Sequence, residues 1–196
     1  RLVRKVLAAK VNGITIDATR PLEEYKTLVL ELLTWNQEDG KTTMWHSTAH
    51  LMAEAIEFFY PGVKFAIGPP IENGFYYDME FPHDVSFSSD DFLKIETKII
   101  ELARQKNKYI LTNTSKKDAI KYFKKRSNNY KLELLKELND GEITFYQQGQ
   151  FTDLCKGPHI PNTDFIKAIK LINVAGAYWK GDEKNKQLTR IYGISF

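Results

Sequence analysis

The stretch 46-HSTAHLMAEAIEFFYP-61 places apolar residues at Ala49, Met52, Ala53, Ile56 and Phe59, the helical period, and stops at Pro61-Gly62. It predicts a helix from about residue 43 to residue 59, with Thr42 or Thr43 as the N-cap. His46 and His50 stand four residues apart at its start, so they project from one face. Unpaired N–H groups and the macrodipole disfavour positive charge in those first turns. Both imidazoles are therefore expected to be neutral near pH 7, which suits a ligand or a base.

Outward from this helix, VLAAKVNGITIDATR reads as two short strands around the hairpin dipeptide Asn12-Gly13. PLEEYKTLVLELLTW follows as a turn or short helix and then an apolar strand, and the polar run NQEDGKTT at 36–43 reads as a linker. Beyond the helix, KFAIGPPIENGFYYDMEF reads as two strands around a proline-rich loop. A helix capped by Ser89 is expected over 89–106. Ser115 and Asp118 open a shorter helix through Phe123, and YKLELLKEL continues in a third. ITFYQQ, QFTDLC, FIKAIKLINV and LTRIYGISF are β-rich. Strands, then helices, then strands predict an α+β fold: a mainly antiparallel sheet packed with helices on one face, preceded by a small β-rich unit.

At 196 residues and 42% hydrophobic content the chain can bury a sizeable core, and 13% aromatic content argues against disorder. No run approaches the ~20 apolar residues of a membrane span, and no signal-peptide pattern is present. One cysteine excludes an internal disulfide framework and points to the reducing cytoplasm. The net charge is only +3, yet eleven Lys/Arg face two acids between Arg104 and Lys136. Such a block is either a solvated helical face or a track for a nucleic-acid backbone.

The chain has four histidines and one cysteine, and 151-FTDLCKGPHIP-161 holds Cys155 and His159. Strand alternation puts Asp153 and Cys155 on one face, and Gly157-Pro158 turns the chain to present His159. If the helix packs on this strand, three imidazoles, a thiol and a carboxylate converge. They suit a tetrahedral zinc set of His46, His50, Cys155 and His159, or metal-free hydrolysis in which neutral histidines position a water. A thiol nucleophile is a third chemistry, and histidines unrelated in space are the bland alternative. GFYYDMEF is an amphipathic strand or the wall of a base-stacking pocket. Lys131 is a surface lysine or a cation for an ester carbonyl or phosphate. AGAYWKGDEKN reads as a packed corner before a ligand rim.

Together, HSTAHLMAEAI, KFAIGPPIENGFYYD, FTDLCKGPHIPNT and IKLINVAGAYWKGDEKNKQLTRIYGISF resemble the N-terminal part of bacterial-type threonyl-tRNA synthetases, over essentially the whole chain. KVNGITIDATR resembles the end of that family's small TGS domain. The resemblance implies a TGS-like part over 1–35, a linker over 36–44 and an editing domain, shared with alanyl-tRNA synthetases, over 45–196. The synthetic core, with its ATP and zinc, is expected beyond Phe196, and the absence of a starting Met suggests a piece of a longer chain.

The implied activity is hydrolysis of the seryl ester of mischarged Ser-tRNA(Thr), with the tRNA(Thr) acceptor end as partner and no membrane. A non-catalytic module binding the acceptor arm and a structural zinc module are the alternatives. By motif matching, His46, His50, Lys131, Asp153, Cys155 and His159 form the editing site. His46 and Lys131 would position water and stabilise ester charge, and Asp153 would orient the substrate. Gly68 and Tyr77 would seat the terminal adenosine. The alanyl site uses a similar set for zinc. The threonyl branch implies no obligatory metal here, with zinc held open. A homodimer is expected of the full-length protein, and a monomer of this segment.

Overall fold

The structure is a computed structural model that describes residues 2–22 and 28–196. The chain forms strands β1 (Ala8–Val11), β2 (Ile14–Ile16) and β3 (Leu30–Leu33), then helix α1 (Glu38–Phe59). Strands β4 (Lys64–Phe65), β5 (Pro70–Ile71) and β6 (Gly74–Glu80) follow, then α2 (Phe92–Ala103), β7 (Ile110–Asn113), α3 (Lys116–Lys125) and α4 (Asn129–Lys136). Strands β8 (Thr144–Gln148), β9 (Phe151–Leu154), β10 (Ile169–Tyr178) and β11 (Gln187–Ser195) complete it. No helix among the described residues is long and apolar enough to cross a membrane.

Among the described residues three antiparallel sheets result, ordered β2-β1-β3, β10-β11-β6-β4 with β5 added on β6, and β7-β8-β9. The first hairpin turns at Asn12 and Gly13, both with positive φ, as a tight two-residue turn requires. The turn or short helix expected after Pro21 falls largely on residues 23–27, outside the described residues. Strand β7 was not anticipated. Its sequence, ILTN, is largely exposed and carries no apolar alternation, so pairing with β8 rather than burial defines it.

The linker expected at 36–44 is a correction: those residues are mostly helical. Helix α1 begins at Glu38, with Gln37 in extended backbone before it. Gln37 Oε1 accepts from both the amide and the hydroxyl of Thr34, at 2.8 Å each, which fixes the entry of the chain. Glu38 and Asp39 in the first turn suit the positive end of the helix. Gly40, which reads as a linker residue, is a packing residue. A Cβ there would lie 2.0 Å from the Thr34 carbonyl oxygen. The caps elsewhere shift little: Ser88 rather than Ser89 forms a capping box with Asp91, and Ser115 caps α3 as read.

Helix α1 is enclosed on nearly every side. Its buried residues extend beyond the expected stripe to Met44, Trp45, Leu51 and Ala55, whereas Phe59 is largely exposed. Trp45, Met52 and Ile56 share one core with Phe75, Tyr77 and Met79 of β6, Ile191 of β11, and Ile95 and Ile99 of α2. Tyr130 of α4 packs in a separate cluster with Ala66, Trp179 and Leu188, while Lys131 of the same helix reaches Tyr77 in the main core.

Gly40→Ala is expected to destabilise the fold by about 1–3 kcal/mol, the range for overpacking against backbone. Chemical denaturation of the two proteins would read the difference.

Candidate active site

The structure brings the two histidine-bearing stretches together. Helix α1 presents His46 and His50 with ring centroids 5.1 Å apart. Strand β9 delivers Asp153 and leads to Cys155, and the loop through the cis Gly157–Pro158 bond returns His159. The His159 ring lies 4.4 Å from both other imidazoles. One ligand atom each from His46, His50, Cys155 and His159 lies within 4.8 Å of the others.

Proton accounting fixes two tautomers. The Pro158 carbonyl can only accept, so His46 donates to it from Nδ1 at 3.2 Å and keeps a lone pair on Nε2. That Nε2 faces Cys155 Sγ at 3.3 Å. Ser47 Oγ gives its hydrogen to the Thr43 carbonyl at 2.7 Å, so the 3.0 Å contact with His159 Nδ1 is a donation from the imidazole. His159 Nε2 thus turns a second lone pair to the same sulfur, again at 3.3 Å. One thiol hydrogen can satisfy only one of them. His50 Nδ1 is buried with no hydrogen-bond partner among the described residues.

Burial dominates the electrostatics. It lowers the pKa of His46 to about 4, against the opposing pull of the Pro158 hydrogen bond. Burial likewise holds His50 well below its ordinary value, reinforced by His46 and then Lys131. His159 is lowered by burial, then by His46 and His50. The Cys155 thiol is pushed up to about 12 by burial, which removes the thiolate that a nucleophilic mechanism needs.

Beside the imidazoles lies an ion pair taken out of water. Lys131 Nζ meets Asp153 Oδ1 at 2.7 Å, with the residues 2% and 3% exposed. Tyr77 donates its hydroxyl to Asp153 Oδ2, and the Leu154 amide donates to Oδ1 at 2.8 Å. Asn128 caps α4 through the Lys131 amide at 3.2 Å and donates from its own amide to Phe65 O at 2.9 Å, pinning the lysine's helix to β4. His50 Nε2 stands 4.0 Å from Asp153 Oδ2. Lys131 is therefore no surface lysine.

A cavity of about 620 Å³ opens over this floor. His46, His50, Gly68, Lys131, Asp153 and Cys155 line it, together with Thr15, Asp39 and Thr43. His159 and Tyr77 do not. His159 lies behind Cys155, stacked at 4.9 Å on Tyr109. The expectation that Tyr77 seats an adenosine is corrected. The residue is 1% exposed, and a Cβ on Gly68 would come 2.4 Å from its ring, so no base can reach that face. Its hydroxyl instead fixes Asp153, and burial, then the Asp153 charge, push its pKa well above the ordinary value.

Residues 143–192, which include Asp153, Cys155 and His159, match the family described as the threonyl and alanyl tRNA synthetase second additional domain. The whole chain is 63% identical over 195 residues to a threonine–tRNA ligase of Cytophaga hutchinsonii and 54% identical over 196 residues to that of Parabacteroides distasonis. A threonine–tRNA ligase of Flavobacterium psychrophilum is 50% identical over 195 residues. The chain corresponds to the N-terminal region of threonyl-tRNA synthetases. It spans 29–30% of the length of these three relatives, and each match covers 100% of the chain.

The donor set of this synthetase segment fits zinc. Three imidazoles and a thiol are accepted tetrahedral ligands, and the unpartnered His50 nitrogen and the surplus lone pair at Cys155 leave donors free. An ion held by all four would have no open position and would act as a structural centre. Sequence reading missed Ser47, Tyr109 and Asp17. Only Ser47 carried a signal, lying one residue after His46, while the other two are joined to the site by folding alone.

The unfolded chain takes up imidazole protons near pH 6.5, while the folded chain holds them off to about pH 4 at His46 and lower than usual at the other two. The unfolded state therefore binds more protons in that window, and stability falls as pH drops. Denaturant titrations of metal-free protein are expected to show little change from pH 8 to 7. Below pH 6.5 they should show a steepening loss, on the order of 3 kcal/mol from His46 alone. Cys155 is expected to react with iodoacetamide at pH 8 more than about a hundredfold slower than free cysteine.

Proposed function

We propose that this segment hydrolyses the aminoacyl ester of Ser-tRNA(Thr), the editing reaction of a threonyl-tRNA synthetase. The observation that carries the reading is the cavity floor. The imidazoles of His46 and His50, the Lys131 ammonium and the Asp153 carboxylate line one open cavity large enough for an aminoacyl ester. Discrimination by one methyl group is worth only about 1–3 kcal/mol, so a synthetic site for threonine cannot reject serine well enough and a second, hydrolytic site is needed.

The chemistry closes without a metal. A water beside His46 attacks the ester carbonyl carbon while Nε2, exchanging its contact with Cys155 Sγ for the water, takes its proton, and the Nδ1–H bond to Pro158 keeps the ring in the required tautomer. Lys131 stabilises the charge that develops on the carbonyl oxygen. The proton then passes from His46 to the departing ribose oxygen as the acyl C–O bond breaks. Asp153, held by Lys131 and Tyr77, orients the substrate's ammonium or hydroxyl group. In this reading Cys155 and His159 shape the pocket, and zinc is not required.

The acceptor arm of tRNA(Thr) is the proposed partner. Lys117, Lys121, Lys124, Lys125 and Arg126 are exposed along α3 and its C-terminal end, a face suited to phosphates. The second reading, a module that binds tRNA without reacting, rests on that face.

Single-turnover release of labelled serine from Ser-tRNA(Thr) is the test, with Thr-tRNA(Thr) as the control. Rapid serine release with threonine retained is expected. His46→Ala should slow release by about 10²–10⁴-fold with tRNA binding intact, and a zinc chelator should leave the rate unchanged. Binding without release by the unaltered chain would favour the second reading.

A further inference from the structure

One buried carboxylate from outside the catalytic stretches reaches the loop that carries His159. Asp17 follows β2 in the N-terminal sheet, far in sequence from every residue of the cavity floor, yet it is only 7% exposed. Its Oδ1 accepts the backbone N–H of His159 at 2.6 Å, across 142 residues of chain. Its Oδ2 accepts the Tyr146 hydroxyl at 2.7 Å, and Arg20 lies 3.6 Å from the same oxygen. Tyr146 in turn sets its ring 4.4 Å from His159. It also fills the space beside Gly157, where a Cβ would lie 2.3 Å from the Tyr146 hydroxyl and φ is +75°.

These contacts enclose the loop that carries the active-site residues. Cys155 and His159 are four residues apart, and no helix or strand spans the stretch between them. The loop needs external groups to hold it, and a carboxylate accepting a backbone N–H is among the stronger of them. On the ring side, His159 stacks on His46, whose Nδ1 bonds the Pro158 carbonyl of the same loop. Moving the His159 backbone therefore moves the partner of His46.

We infer that Asp17 is a positioning residue for the site: through the His159 amide and Tyr146 it sets the loop against which His46 is oriented, so the small N-terminal sheet is a working part of the active site. The inference deepens the hydrolase reading and rests on it for its catalytic consequence, while the geometric consequence stands separately.

The test compares the unaltered chain with Asp17→Ala, Asp17→Asn and Tyr146→Phe in two measurements. The first is single-turnover deacylation of Ser-tRNA(Thr) over a range of enzyme concentrations. The second is the set of imidazole resonances of His46, His50 and His159, with thermal unfolding to establish that each variant is folded. Asp17→Ala should lower the maximal rate constant about a hundredfold, as expected for a misplaced catalytic group, with the half-saturating enzyme concentration changed less than threefold. Its His159 and His46 resonances should shift while those of surface His83 do not. Asp17→Asn keeps an acceptor for the His159 amide and should recover most of the rate and the resonance positions. Tyr146→Phe should shift the same two resonances by less.

A folded Asp17→Ala protein with unchanged resonances and rate would overturn the inference. If that variant does not fold, unchanged resonances and rate in Tyr146→Phe would overturn it equally. Resonances that move as expected, in a chain that hydrolyses no ester, would sink the hydrolase reading and leave the positioning role of Asp17 standing.

Discussion

From Thr43 to Ile56 helix α1 has almost no solvent face on which to place polar groups, so the polar side chains of that stretch must find partners inside the protein. The hydroxyls of Thr43, Ser47 and Thr48 turn back to carbonyls one turn earlier. His46 reaches the Pro158 carbonyl, and Glu54 accepts from the Gln150 amide at 2.8 Å. His50 Nδ1 alone among the α1 imidazole nitrogens is left buried without a partner among the described residues. The site is thus built into the core rather than laid on a surface. Its groups are held by the same packing that holds the fold.

That location explains the division of charge. Imidazole can shed a proton cheaply, so burial leaves the three histidines neutral with lone pairs available. Lys131 and Asp153 instead meet as a pair, and the Tyr77 hydroxyl and the Leu154 amide satisfy the carboxylate further. A buried pair of this kind tolerates loss of one member poorly, because the survivor is left charged in a medium that cannot solvate it. The result places uncharged bases and a fixed cation around one cavity, with solvent largely excluded from beneath.

Much of this was legible. The His46–His50 spacing and the Cys155–His159 spacing announced two clusters, and helix and strand periodicity announced faces that could meet. The pattern of elements was readable wherever burial imposes a period, as in α2 and β11. It failed where another constraint ruled. Gly40 sits in α1 for the sake of a close backbone approach, which looks like a linker when read locally. Strand β7 is held by its neighbour and shows no alternation. Tyr77 looked like a stacking platform because sequence shows a tyrosine beside glycine and cannot show that its ring is covered. Asp17 carries no local sign at all, since its importance lies in partners at residues 146 and 159.

The central sheet orders its strands β10-β11-β6-β4, so β6 gains its inner neighbour only when a strand 112 residues further along the chain has been made, as the Asp78–Arg190 pair records. During synthesis α1 leaves the ribosome long before either β9 or β11 exists. Strand β6 and helix α2 follow it soon and cover part of it, while the side that meets β9 and β11 stays open in that interval. Non-local pairing of this kind slows folding and prolongs exposure of sticky surface. The arrangement that buries His50 and His159 in the finished protein also makes the histidine-bearing side of α1 one of the last surfaces to find shelter.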